Sequence, residues 1–227
     1  MDSKYSYTYE NDSEYCYPKT SILKNKINIT NDEDLYKVEL AVVAYEITNL
    51  LQNPITGNFD FKHLKTIHYQ LFSKIYDWAG ISRTCSIAKT DLFCLPQYID
   101  NYANDIFNKL VIEKYYIEYN SEKTIDCLVA LFADINALHP FREGNGRAQR
   151  EFIEELAKIN GINLDLTTVD KNNMIIASHE SINRDYKKLT KLFKKCSKKI
   201  NKEEQLKHIE TYCTDKLKKQ LLEFLNQ

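Results

Sequence analysis

Apolar residues recur every three or four positions along most of the chain, which is the helical period. The spacing predicts helices at 32–52, after residue 60, and at 96–111, 121–138, 145–159, 170–182, 185–199 and 203–226. Between residues 81 and 95 short apolar and polar stretches alternate, which favours a small β-hairpin. The pattern predicts a mainly α fold, a bundle of about eight helices with one hairpin.

Residues that begin and end helices sit at the expected places. Thr30 or Asn31 is suited to cap the first helix, Asp60 precedes the second, and Ser121 is suited to cap the one that runs to 138. Gly161 follows the helix that ends near 159, as glycine often does.

The chain divides into one large domain and a short C-terminal piece. Residues 1–200 are predicted to form the domain together with an N-terminal tyrosine-rich arm that is expected to lie over it. Residues 201–227 form an amphipathic helix that either packs on the domain or offers a surface to a partner. We expect it to pack on the domain, because apolar stripes are usually part of a core.

Composition excludes several functions. The 227 residues include 31 basic and 32 acidic ones, so the net charge of −1 provides no field for nucleic acid or a membrane surface. A basic run between 187 and 199 lacks arginine and interleaved aromatics and is read as a solvated helix face. Six scattered cysteines have no zinc-ligand spacing, and no leader or spanning stretch is found, which predicts a cytoplasmic protein with free thiols.

Residues 139–150, HPFREGNGRAQR, contain the chemistry. The chain has only five arginines, and three of them lie here. Gly144 and Gly146 allow a tight turn into a helix, whose first N–H groups attract anions. Arg147 and Arg150 are three apart on that helix, so both guanidinium groups can reach one polyphosphate.

Two further side chains of the loop complete a phosphate-transfer site. His139, at the end of the preceding helix, is suited to take a proton near neutral pH. Glu143 would repel a phosphate unless a cation lay between them, which argues for Mg²⁺. Phe141 between them is expected to pin the loop to the core.

This loop resembles the signature of the Fic family, H-x-F-x-[D/E]-G-N-G-R-x-x-R, at every specified position. Further stretches look like the family in the same order, among them YP at 17–18, LKNK at 23–26, IYDWAG at 75–80, RT at 83–84 and PQYI at 96–99. The resemblance covers roughly residues 15–195 and implies the Fic fold.

The resemblance implies transfer of AMP from ATP to a Ser, Thr or Tyr hydroxyl of a target protein, with release of pyrophosphate. His139 would be the base, Glu143 would hold Mg²⁺, and the remaining loop residues would bind the nucleotide's anion: Gly144, Asn145, Gly146, Arg147 and Arg150. The hairpin at 81–95 resembles the family's flap, which docks an extended target segment by strand addition. Its docking residues would be Ser86, Ile87, Ala88, Lys89 and Thr90, where the family often has glycine in place of Thr90.

Family members are often restrained by a glutamate in an [S/T]-x-x-x-E-[G/N] motif, which would face Arg150 here. Only Ser6 to Asn11 fits, with Glu10 as the glutamate, and the match is loose. We therefore expect a separate small inhibitory protein, as in toxin–antitoxin pairs, with restraint by Glu10 as the alternative.

Two other functions stay open at this stage. Related sites transfer UMP or phosphate or remove AMP, and a third hypothesis is a nucleotide sensor without turnover. The full set of histidine, acid and two arginines argues against the sensor, which needs no base. The sequence leaves the oligomeric state open, a homo-oligomer included.

Overall fold

The computed structural model describes residues 8–9, 12–88 and 92–226. The described part contains nine α-helices: α1 (Asp32–Gln52), α2 (Phe61–Phe72), α3 (Ile99–Ile112), α4 (Ser121–Leu138), α5 (Asn145–Ile159), α6 (Lys171–Ile182), α7 (Lys187–Cys196), α8 (Lys202–Tyr212) and α9 (Asp215–Leu225). The mainly α prediction is confirmed. None of these helices is long and apolar enough to cross a membrane.

Helix α5 lies at the centre of the bundle. It contacts α2, α4 and α8, and its side chains Phe152, Ile153 and Leu156 are fully buried. Because α5 begins at Asn145, this packing holds the predicted anion loop against the core.

Polar side chains cap most of the helices. Asn31 Oδ1 accepts the N–H of Asp34, and Asp60 Oδ1 accepts the N–H of His63, as expected from the sequence. The cap of α4 is Asn120 rather than the predicted Ser121, because the Asn120 side chain accepts the N–H of Lys123. Ser121 is instead the first helical residue.

Four short strands form two antiparallel pairs in the described residues: β1 (Thr8–Tyr9), β2 (Ile87–Ala88), β3 (Ile162–Leu164) and β4 (Ser197–Lys199). Strand β2 lies in the predicted hairpin, since Ala88 forms a bridge with Leu92. Strand β4 was predicted as the end of a helix. That helix, α7, stops at Cys196, because residues 197–199 pair with β3.

The C-terminal piece is two helices and not the single predicted one. The chain turns at Cys213 and Thr214, where Gly57 N–H donates to Tyr212 O at 2.9 Å and Thr214 N–H donates to Gly57 O at 3.0 Å. The apolar period of three or four residues continues across this break, so the pattern does not reveal it. Ile209, Leu217 and Leu221 are buried, and the piece packs on its own domain.

Candidate active site

His139 occupies a constrained position at the C-terminal end of α4. Its backbone is left-handed, with φ 45° and ψ 59°, and its N–H donates to Ile135 O. The imidazole is 6% exposed and stacks on Phe93 with ring centroids 3.9 Å apart. The turn therefore projects the imidazole out of the helix, and Phe93 fixes its plane.

Arg83 joins the predicted flap to the loop at residues 139–150. Its Nε donates to His139 O at 2.7 Å, its backbone N–H donates to Pro140 O at 2.8 Å, and Nη1 donates to Cys85 O at 2.6 Å. Nη2 also donates to Cys94 O. Arg83 is 2% exposed, and the hydrogen bonds of its guanidinium go to backbone carbonyls. These bonds set the position of His139 relative to the flap.

Asn145 and Phe141 hold the loop itself. Asn145 Oδ1 accepts the N–H of Phe141 at 2.8 Å, and Nδ2 donates to Phe141 O at 2.7 Å. The Asn145 side chain thus holds the loop, and the backbone N–H of Asn145 remains available to an anion. Phe141 is fully buried, as predicted.

His68 supports the same loop from α2. It stacks on Phe141 at 3.8 Å, its Nε2 donates to Glu143 O at 2.9 Å, and its Nδ1 accepts the N–H of Gly80 at 2.9 Å. Burial lowers the pKa of His68 to about 3, so the ring is neutral at physiological pH. Nothing near His68 in the chain suggests a link to the loop, so the sequence alone does not identify it as a support of the site.

The N-terminus of α5 presents unsatisfied donors. The N–H groups of Asn145 and Gly146 have no acceptor among the described residues. Gly144 turns the chain into the helix with φ 82°, and an added Cβ there would lie 2.3 Å from the Phe72 ring. The glycine is required for both reasons, and the turn aims free N–H groups at the surface.

The two motif arginines differ in their partners. Arg147 Nη1 donates to Glu39 Oε1 at 2.7 Å, and Nη2 donates to Glu143 Oε1 at 3.3 Å. Arg150 makes no hydrogen bond or ion pair with any described residue. Burial, and then the charge of Arg147, lower the pKa of Arg150, although an arginine remains charged. A partly desolvated cation that forms no ion pair is a strong point of attraction for an anion.

Glu143 faces the same helix end. Its Oε1 accepts the N–H of Gly144 at 2.8 Å in addition to Arg147. Its Oε2 accepts no bond from the described residues, and the side chain is 35% exposed. The described residues contain no group of three or more metal-ligating side chains. One open carboxylate oxygen is still what Mg²⁺ needs when phosphates and water supply the other ligands.

The flap carries the predicted docking residues in part. Ile87 is buried, Ser86 and Ala88 are half-buried, and Phe93 N–H donates to Ile87 O at 3.1 Å. Lys89 and Thr90 lie outside the described residues, as do Ser6 and Glu10 of the loose inhibitory motif.

The other edge of β2 pairs with β1, with Thr8 opposite Ala88 and Tyr9 opposite Ile87. The segment that follows β1 is anchored to the flap: the Tyr15 hydroxyl accepts the N–H of Thr84 at 3.0 Å. The described part of the predicted arm, residues 8–9 and 12–17, therefore lies over the domain at the flap.

Fold and site together define a mainly helical protein in which a constrained histidine ends one helix and the N-terminus of the next helix, with its free N–H donors, follows after a short loop. The Fic/DOC family model matches residues 58–157. The probable protein adenylyltransferase y4lH of Sinorhizobium fredii is 33% identical over 172 residues, which cover 75% of this chain and 88% of the relative. The chain belongs to the Fic/DOC family, and it is an enzyme of the nucleotidyltransferase class.

Two further similarities extend this result. The protein adenylyltransferase VbhT of Bartonella schoenbuchensis is 36% identical over 168 residues, which cover 74% of this chain and 35% of that protein. The crystal structure of the BepC protein of Bartonella tribocorum with bound AMPPNP has a TM-score of 0.76 and 26% identity, and it covers 83% of this chain and 98% of that one.

Proposed function

We propose that this enzyme transfers AMP from ATP to a Ser, Thr or Tyr hydroxyl of a target protein. The proposal depends on one observation at the N-terminus of α5. Free N–H groups lie there beside the guanidinium of Arg150, which forms no ion pair with the described residues, and the loop that leads into this helix starts at a fixed histidine. The names of the relatives and the AMPPNP bound to BepC support it.

In the proposed reaction His139 takes the proton of the target hydroxyl. The hydroxyl oxygen attacks the α-phosphorus of ATP, a new P–O bond forms, and the bond to the β-phosphate oxygen breaks so that pyrophosphate leaves. Since Phe93 and Arg83 fix the ring and the backbone of His139, the base is held ready without reorganisation.

The residues of the α5 helix end would bind the phosphates. The N–H groups of Asn145 and Gly146 supply donors without a charged side chain, and Arg147 and Arg150 supply two cations. Because these groups are held by the fold before ATP arrives, they can stabilise the charge that develops on the departing pyrophosphate.

Glu143 would hold Mg²⁺ through Oε2, the carboxylate oxygen that no described residue uses. When bound, the ion would neutralise negative charge on the phosphates. Without it Glu143 would repel the nucleotide, so the proposal requires Mg²⁺ in the binding assay.

The flap would dock the target segment through Ser86 to Ala88, with Lys89 and Thr90 at its tip. Arg83 bonds the start of the flap to the carbonyls of His139 and Pro140. A target segment that is aligned on the flap is therefore also aligned with His139, the proposed general base. Strand β1 occupies one edge of β2 and the second strand of the hairpin occupies the other, so a target segment that pairs with β2 must displace the arm.

We expect restraint by a separate small inhibitory protein, in the manner of a toxin–antitoxin pair. None of the described residues pairs with Arg150, which leaves this guanidinium open to an acidic side chain from outside. Under this proposal Glu10→Gly leaves self-labelling from ATP unchanged. A higher rate in that variant would instead assign restraint to Glu10.

The test uses α-labelled and γ-labelled ATP with Mg²⁺ and a cell lysate. The α-label should appear on protein and the γ-label should not, and His139→Ala should lower labelling by about 10³-fold. His208→Ala, on α8, is the matched control and should label like the parent. Protein labelled from the γ position would indicate phosphate transfer, and equal labelling by His139→Ala would contradict the proposal.

A further inference from the structure

A carboxylate from α1 reaches the catalytic loop, although it lies far from the loop in the chain. Glu39 Oε1 accepts Arg147 Nη1 at 2.7 Å, across 108 positions of sequence. Glu39 is buried, with 7% of its surface exposed. No motif marks this residue, because it is one of several acids on an amphipathic helix.

The second oxygen of Glu39 is also occupied. Tyr76 donates its hydroxyl to Glu39 Oε2 at 2.5 Å. Burial raises the pKa of Tyr76, so its hydroxyl keeps its proton and remains a donor. Tyr76 itself is 1% exposed and stacks on Trp78 at 4.4 Å. The carboxylate is therefore fixed from behind by a side chain that cannot move freely.

The Arg147 guanidinium is held on three sides. Glu39 takes Nη1, Glu143 takes Nη2, and the guanidinium carbon lies 4.7 Å from the centroid of the Phe72 ring. A guanidinium has five N–H donors, so two bonds leave three for a phosphate. These contacts restrict the orientation of the guanidinium and still leave N–H donors for a phosphate.

Separation of this pair on nucleotide binding is unfavourable. Removing Arg147 from Glu39 would leave a buried carboxylate with a single hydroxyl donor, which is costly. Glu39 therefore stays paired with Arg147 when phosphate binds and acts as a fixed support for the guanidinium. Arg150, by contrast, has no such support among the described residues and must be oriented by its ligand.

We infer that Glu39 is a positioning residue that orients Arg147 toward the distal phosphates of ATP, with Tyr76 as its anchor. The inference rests on the proposed function, because it assumes that Arg147 binds phosphate. It adds a residue of α1 to the site and makes the packing of α1 against α2 part of nucleotide recognition.

The experiment measures equilibrium binding of a non-hydrolysable ATP analogue and of AMP, with Mg²⁺, by calorimetry. Glu39→Gln should weaken binding of the analogue by about tenfold, because a charged hydrogen bond is lost, and should change AMP binding less than twofold. Tyr76→Phe, which removes only the hydroxyl, should give a smaller loss in the same direction. Glu33→Gln, on the exposed face of α1, is the matched control and should bind like the parent.

A double-mutant cycle with Arg147→Ala separates positioning from general stability. If Glu39 acts through Arg147, Glu39→Gln has no further effect on analogue binding once Arg147 is alanine. An equal loss in both backgrounds, a loss shared by AMP, or tighter binding in Glu39→Gln would overturn the inference.

No effect of Arg147→Ala on analogue binding would overturn the inference too. The proposed reaction is judged separately, by transfer of the α-label and its dependence on His139.

Discussion

The two ends of α5 treat charge in opposite ways. In the N-terminal half Arg150 is partly buried and makes no hydrogen bond or ion pair with the described residues, although the charge of Glu154, one turn further on, attracts it. In the C-terminal half Glu155 is 1% exposed, and its Oε2 lies 3.4 Å from His63 Nε2. Burial raises the pKa of Glu155 well above its ordinary value and lowers the pKa of His63 to about 4.

The difference lies in what burial can do to each group. A buried carboxyl or imidazole can become neutral, so the C-terminal half of α5 tolerates ionisable groups under the cover of α8. A guanidinium cannot lose its charge at physiological pH, so burial of Arg150 leaves a cation that needs a ligand. One helix therefore supplies both a neutralised core and a charged site.

The largest effect is expected at Gly144, where the turn into α5 requires the backbone conformation of a glycine. Gly144→Ala places a Cβ 2.3 Å from the Phe72 ring at a φ of 82°, and we expect a loss of about 3 kcal/mol in the free energy of unfolding. Gly146→Ala is the matched change, because that position is helical and open, and it should be neutral or slightly stabilising. Urea unfolding of both variants measures this, and equal stabilities would contradict the expectation.

The next prediction concerns the unpaired cation. Arg150→Ala should weaken binding of an ATP analogue by about 2 kcal/mol, or roughly thirtyfold, without loss of stability, because no described contact is broken. Lys158→Met, on the C-terminal half of the same helix, should leave affinity unchanged. Calorimetry and thermal unfolding measure the two quantities, and a large drop in stability for Arg150→Ala would remove the contrast between the two ends.

The C-terminal half of α5 should make the stability of the protein depend on pH. Burial raises the pKa of Glu154 from 4.5 to about 7, so the folded state binds a proton that the unfolded state has released between these values. The stabilisation of the folded state by this bound proton is full below a pH of about 4.5 and is lost as the pH rises through about 7.

Glu154→Gln removes that dependence. Between pH 5 and pH 8 the free energy of unfolding of this variant should rise, relative to that of the parent, by on the order of 2 kcal/mol. Urea unfolding across this range tests it, with the exposed Glu203→Gln as a control that should follow the parent. Parallel curves for Glu154→Gln and the parent would show that the carboxyl is not neutralised by the fold.

The smallest effect concerns the cover over the C-terminal half. Thr214 caps α9 by accepting the N–H of Leu217, so Thr214→Ala should cost about 1 kcal/mol of unfolding free energy. Affinity for the ATP analogue should stay the same, since α9 packs on α8, and α8 contacts α5 at Lys158 and Ile159, away from the loop. Weaker binding in this variant would mean that the two ends are coupled.

Sequence reasoning succeeded where the chemistry is contiguous in the chain. The loop from His139 to Arg150 carries its glycines, acid and arginines within twelve positions, so their meeting in space required little folding information. Helix boundaries at Asn31 and Asp60 were also predictable, because a cap is a contact over three residues.

It failed where the contact spans the chain. The break between α8 and α9 depends on Gly57, and the end of α7 depends on pairing with residues 162–164. Neither partner can be identified from local period, which reports that a face is buried but not what covers it.

The sequence by itself determined the helical class, the family and the residues of the loop, because these depend on local pattern and on neighbours in the chain. Tertiary structure alone decided that Phe93 stacks on His139, that Arg83 links flap to loop, and that Glu39 engages Arg147 and leaves Arg150 unpaired. The physical reason is that these contacts join elements whose relative placement is set by the packing of the whole core.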